Sequence, residues 1–242
     1  MSSAQPEGAY VRVVEPHEYP VAIRILTHAF AHDPAMNWYG SVKELVPAPD
    51  EQDYSKTVKR TLKRLYTFQN MLLRGTVLQG GIVTVAVIPN GPNEIIIGVA
   101  LWLKPGQSWD FPLLVTLRSG ILKVLRGWGL NGVRRLSFEF TPAVEKSLDK
   151  AFKSRSLERL DSWHLLSLAV DPSHEGKGIC GLMMRDGRDI YAHYGFKIDG
   201  EHCFGKGSVD ADGIAAKGTA ATGYPEWIMT KVSDISGLWD CH

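Results

Sequence analysis

Apolar and polar positions follow two different periods along this chain, and the switches between them mark its elements. Residues 10–14 alternate, with Arg12 expected to point outward, and read as a short first strand. Residues 18–30 carry Val21, Ile25, Leu26 and Ala29 at nearly helical spacing. The stretch 34–50 holds Pro34, Pro47 and Pro49 and reads as a loop. A second helix is expected over 54–73, striped by Val58, Leu62, Leu65 and Leu72. Strands over 82–88 and 94–103 flank Pro89-Asn90-Gly91-Pro92-Asn93, a strong hairpin signal. The second of these is almost wholly apolar, as a strand covered on both faces should be. Gly98 inside it suggests a bulge or a close backbone approach.

Residues 104–162 read as mostly helical. The part from 113 to 128 is apolar and basic together, whereas 141–160 is amphipathic and charged. An Arg-rich apolar helix can lie on a membrane surface; packing over the sheet as a cover for the substrate side is the preferred reading. Gly127, Gly129 and Gly132 mark a turn between helices. A buried strand follows over Leu165 to Val170, ended by Asp171 and Pro172. Further strands are expected over 196–204 and 227–232, joined by a Gly/Ala-rich loop, 205–223, of flexible composition. The fold class is α/β, a mostly antiparallel central sheet flanked by helices, in one domain spanning 1–242.

Composition narrows this little. Lys plus Arg (27) nearly equals Asp plus Glu (26), so no global field favours nucleic acid or a membrane, and neither is expected as a partner. Lys56, Lys59, Arg60, Lys63 and Arg64 suggest RNA at first sight, but no aromatic platform accompanies them, and a solvated helix face accounts for them better. His28, His32 and Asp33 fit a capped helix end better than a metal site. Cys180, Cys203 and Cys241 have no C-x-x-C spacing, so no metal is expected. The opening M-S-S-A-Q-P-E lacks the basic and apolar regions of a signal peptide, so a cytoplasmic location is expected, with the nucleus as the alternative.

The chemistry concentrates after the buried strand. Gly176, Gly178 and Gly181 follow a short polar loop and precede Leu182-Met183-Met184, which can open a helix. Glycines let a backbone approach a ligand closely, and the free N–H groups of a helix start favour phosphate. A P-loop is excluded, because Asp171 and Gly178 stand where it needs Gly and Ser/Thr. The dinucleotide fingerprint G-x-G-x-x-G matches, with Asp199 as a ribose ligand about 20 residues on. However, Asp171 to Glu175 separate the strand from the first glycine.

Leu168-Ala169-Val170-Asp171-Pro172 followed by Glu175–Cys180 resembles motif A of the GNAT superfamily of N-acetyltransferases. Tyr191-Ala192-His193-Tyr194-Gly195-Phe196 resembles that family's Y-x-x-x-G-F. Glu175 and Cys180 depart from the pattern, which has Gln or Arg and Gly or Ala at those places. The resemblance implies a GNAT-like domain with a helical insertion at 104–162 and its coenzyme-binding and catalytic motifs at 163–196. It implies acetyl-CoA as co-substrate, an amine acceptor (small molecule or protein), and a monomer or homodimer. Leu168 and Val170 would pair their main chain with the pantetheine arm. Gly176, Lys177, Gly178, Ile179, Cys180 and Gly181 would cradle the pyrophosphate. Tyr191 would protonate the leaving thiolate, with Tyr194 as its substitute. His164, Ser167 and His193 are candidates for the base.

Only twelve residues separate Gly178 from Tyr191. A helix of about 11 residues and a strand of about 5 do not fit there, so the family's fifth strand is expected to be missing and activity impaired. The strand over 165–170 would then have no neighbour on the side of residues 184–188, with 179–194 helical around a break at Gly187. An NAD(P)-dependent oxidoreductase and an inactive GNAT-like binding protein stand as alternatives.

Overall fold

The computed structural model describes residues 8–47, 54–174 and 197–230. Four strands form an antiparallel sheet in sequence order: β1 (Tyr10–Val13), β2 (Ile82–Asn90), β3 (Asn93–Leu103) and β4 (His164–Val170). Two more, β5 (Lys197–Phe204) and β6 (Tyr224–Thr230), pair antiparallel in a separate sheet. The helices are α1 (Tyr19–Ala29), α2 (Pro34–Gly40), α3 (Lys56–Leu78), α4 (Leu113–Ser119), α5 (Ile121–Arg134) and α6 (Thr141–Lys153). The chain is thus a mixed α/β protein with an antiparallel sheet flanked by helices, and α4 to α6 fall between β3 and β4.

The β2–β3 hairpin turns as its sequence requires, and the bulge sits beside Gly98. Ala86 pairs with Gly98 while Val87 pairs with Ile96, leaving Ile97 as the extra residue. One face of the sheet presents Val83, Val85, Val87, Val99, Leu101 and Ala169 to Ile23, Ile25 and Leu26 of α1 and Leu73 of α3. A second core is aromatic. Trp38 and Tyr39 of α2, Phe68 of α3, Trp128 of α5, Phe204 of β5 and Tyr224 of β6 pack together. At about 1.5–3 kcal/mol per buried large side chain, this second cluster holds the β5–β6 sheet onto the helices.

Three expectations are corrected. Arg12 does not point outward: it pairs with Val85 on the helix side of the sheet, and Val11 and Val13 face solvent. Glu18 and Glu94 both ion-pair with it, which repays an arginine on the core side of an edge strand. Residues 34–40 are a helix rather than loop. Asp33 accepts from the Met36 N–H at 2.9 Å, and Pro34 supplies a first helical residue that needs no N–H partner.

As expected from the sequence, the helix breaks among the glycines near Trp128: Gly129 takes a non-helical conformation (φ 72°) that separates two helical segments within α5. The Gly/Ala-rich segment 205–223 is built, not loose. Asp210 Oδ1 accepts from the N–H groups of Asp212 and Ile214, and Val209 bridges Ala215. Asn37 Nδ2 donates to the Asp212 carbonyl at 2.9 Å, tying the segment to α2. Two boundaries also move: α3 extends five residues beyond its expected end at residue 73, and β6 starts at Tyr224 instead of Trp227.

Candidate functional site

A cavity of about 2140 Å³ lies between β4 on one side and β6 on the other, roofed by α2, α3, α4 and α6. It exceeds the ~300–1,000 Å³ typical of a single-ligand pocket. Its walls are mainly apolar and aromatic, with Tyr39, Phe68, Trp109, Phe111 and Phe140 among them.

Its charge is one-sided. Asp33, Asp110, Glu158, Asp161, Asp212 and Glu226 all line it. Among the described residues Arg155 is the one Lys or Arg in the lining, and its guanidinium is bound to Asp199. Two of the acids carry strongly shifted affinities for protons. Burial, then the negative charge of Asp33, pushes the Glu226 carboxyl up to about 8. Burial raises Asp33 to about 6, against the stabilising N–H bonds of Met36 and Ala35. A carboxyl held this way takes a proton near neutrality instead of giving one up. The phenols of Tyr39 and Tyr224 feel both carboxylates. Burial and that charge raise them, and neither hydroxyl has a hydrogen-bond partner among the described residues.

These groups are placed by the aromatic core. Tyr39 and Trp38 leave α2 on its buried side, so the helix cannot rotate Asp33 away without unpacking both rings. Glu226 is carried by β6, whose Tyr224 and Ile228 are buried two residues to either side. Arg135 spans the α2 end by bonding the Trp38 carbonyl and Ser41, and its guanidinium sits 5.4 Å from the centre of the Trp38 ring.

Of the residues picked out from sequence, Leu168 and Val170 lie on β4, paired opposite Ala100 and Gly98. Leu168 lines the cavity, while Val170 packs against Ile97. No strand pairs with the other edge of β4 among the described residues. Gly176, Lys177, Gly178, Ile179, Cys180, Gly181, Tyr191, His193 and Tyr194, with the expected break at Gly187, lie outside the described residues.

His164 stands in the cavity wall with its ring edge-on to Trp109. Burial and the charge of Arg159 lower it to about 4, which leaves it neutral and a weak base. Ser167 is buried in the same wall. His32 donates from Nε2 to the Val46 carbonyl, so it and Asp33 are both engaged at the helix end.

Asp199 is not available to a ribose. Its carboxylate is bound on one oxygen by Arg155 and accepts from the Thr230 hydroxyl at 2.5 Å on the other. It is the tie between α6, β5 and β6.

The sequence reading missed Glu226, Tyr224 and Tyr39. A lone acid between Pro225 and the apolar Trp227-Ile228-Met229 was the available signal for Glu226. An Asp-Pro step directly after a helix was the signal for α2 and the buried Tyr39.

No family profile matches the sequence, and no curated protein matches it. Among solved structures, a mosquito arylalkylamine N-acetyltransferase-like 5b is similar at 13% identity and a TM-score of 0.37, over 91% of this chain and 100% of that one. A likeness this loose constrains neither fold nor chemistry.

Proposed function

We propose that the protein is a GNAT-type acyltransferase that moves an acetyl group from acetyl-CoA to a primary amine with an apolar body. The acid-lined cavity carries this reading, because it attracts a cationic amine and holds a carboxyl pair, without an ion-pair partner among the described residues, that takes up a proton near neutrality. The motif resemblance at residues 168–172 and 191–196 supplies the acyl donor. The outer edge of β4, running along the cavity wall, suits an extended pantetheine arm that pairs with main-chain groups near Leu168 and Val170. Gly176–Gly181 would hold the pyrophosphate.

An amine arrives as an ammonium with pKa near 10 and must lose a proton before it can attack. Glu226 accepts it, and Asp33 raises the basicity of Glu226 by Coulombic repulsion. The nitrogen lone pair then forms the C–N bond at the thioester carbonyl, and the C–S bond breaks. The thiolate takes a proton from Tyr191, and the second N–H proton leaves through the same carboxyl pair. Proton transfer by a positioned group is worth typically 10²–10⁴-fold.

Release of free thiol from acetyl-CoA, followed with a panel of amines, tests this. Glu226→Gln and Tyr191→Phe are each expected to lower kcat/KM by roughly 10²-fold or more, with melting temperature not lowered. Asp33→Asn keeps the helix cap, since Asn caps as well as Asp, and is expected to weaken amine saturation. Absence of thiol release with every amine, together with stabilisation by acetyl-CoA, would leave a coenzyme-binding protein and remove the transferase reading. Unchanged rates in Glu226→Gln would remove its role as the base.

A further inference from the structure

Charge that balances over the whole chain is segregated in the fold. Helix α3 carries Lys56, Lys59, Arg60, Lys63, Arg64 and Arg74 and no acidic residue. Helices α4 and α5 pack against it and add Arg118, Lys123, Arg126 and Arg134, again with no acidic residue. The contact is close: a Cβ on Gly127 of α5 would meet the Arg64 side chain at 3.3 Å, so the two basic rows adjoin.

The same helices present large apolar side chains to solvent. Leu113, Leu114 and Leu117 of α4 are exposed, as are Leu122 and Leu130 of α5 and Phe138 beyond it, with Leu113, Leu130 and Phe138 each about three-quarters exposed (76%, 77% and 76%). These are not loose ends of a helix with no core side. Thr116 and Ile121 line the cavity, and Val124 and Trp128 are buried. Each helix therefore has one face spent on the interior and a second apolar face left over. A merely solvated helix places Lys, Glu and Gln there, and a leucine row among cations is costly in water.

We propose that the outer face of α4 and α5, with the adjoining row of α3, docks on an anionic lipid bilayer. Leu113, Leu117 and Leu122 would enter the headgroup region, and Arg118, Lys123, Arg126 and the α3 cations would meet lipid phosphates and carboxylates. Charge complementarity selects this occupant. A second copy of the chain would set like charge against like charge, and a nucleic acid has no use for exposed leucines. No helix among the described residues is long and apolar enough to cross a membrane, so the contact is a surface one. The balanced composition argued against a membrane partner; the segregation seen in the fold is what argues for one. This proposal is independent of the transferase reading.

Flotation of the full chain with phosphatidylcholine vesicles, with and without about one-third phosphatidylserine, tests it. Binding is expected only to the anionic vesicles and is expected to fall steeply with salt. The triple variant Arg118→Gln, Lys123→Gln, Arg126→Gln should weaken it roughly 100-fold, at about fivefold per cation near the surface. Leu113→Ser, Leu117→Ser and Leu122→Ser together should abolish flotation, and because these side chains are exposed the melting temperature should hold. Lys146→Gln with Lys150→Gln, on α6, should change nothing.

Failure to float, equal binding to neutral vesicles, or a leucine variant that floats like the parent would each overturn the proposal. So would retention on RNA, or self-association abolished by the leucine changes, without vesicle binding.

Discussion

Replacing Glu226 by Gln keeps the shape of the side chain and deletes its proton equilibrium, so the change isolates what the buried carboxyl costs. The carboxyl moves from 4.5 to about 8 on folding, because burial and Asp33 both penalise its charge. A raised carboxyl contributes its full relative stability below the unfolded pKa, and this is lost as pH rises through the folded one. The window is therefore pH 4.5 to 8. At about 1.4 kcal/mol per pH unit, the shift corresponds to about 5 kcal/mol lost by the parent across that window. Gln lacks the group and also relieves Asp33 of its neighbour, so the variant should hold its stability where the parent declines. Urea unfolding at pH 5 and pH 9 is the measurement. The variant is expected to lie within about 1 kcal/mol of the parent at pH 5 and to be about 2–5 kcal/mol more stable at pH 9. Activity should run the other way: the base works only when ionised, so the parent's kcat/KM should climb through the same pH range. A stability difference that stays constant with pH would refute the reasoning, because an unburied or independently neutralised Glu226 would have no reason to shift.

The other expectations concern how the site is held. Hydrogen bonds from Arg12 hold Glu18 down at about 2, so Arg12→Met should cost about 1–3 kcal/mol at pH 7 by urea unfolding. A lowered carboxyl stabilises above its unfolded pKa, so the gap between parent and variant should close as pH falls from about 4.5 towards 2. Gly213 has φ +72°, and a Cβ there would collide with the Pro34 carbonyl oxygen, so Gly213→Ala should cost about 2–4 kcal/mol in thermal unfolding. Because Pro34 adjoins Asp33, the same variant should raise the amine KM. Trp38 is 2% exposed and touches Tyr39, Phe204 and Tyr224, so Trp38→Ala should lose about 3–5 kcal/mol and loosen the β5–β6 sheet, measured by urea unfolding and hydrogen exchange.

The elements that announced themselves in sequence are those whose period is set by one buried face. The β2–β3 hairpin, α1 and α3 bury apolar residues at regular spacing, and apart from the C-terminal end of α3 their limits follow from it. Arg12 was misread because alternation fixes that a strand has two faces and not which one meets the core. An edge strand let Glu18 and Glu94 decide, by offering the arginine two carboxylates on the inner side. The segment 205–223 was misread because its order comes from Asp210, Asn37 and a glycine seated on Pro34, contacts between residues up to 179 positions apart that leave no local pattern.

The acid pair shows the same limit acting on function. Asp33 and Glu226 are 193 positions apart in sequence, and each taken singly reads as a cap or a surface acid. Only the aromatic cluster, by packing α2 against β6, brings the two into the lining of one cavity, where burial and the charge of Asp33 raise the affinity of Glu226 for a proton. The basic helices make the converse point. Composition sums charges that the fold separates, gathering carboxylates around the cavity and cations on α3, α4 and α5. A near-zero total then conceals two opposed fields, one suited to drawing a cation inward and the other to holding an anionic surface outside. Neither follows from a count of residues, because what sets each field is which side chains share a face.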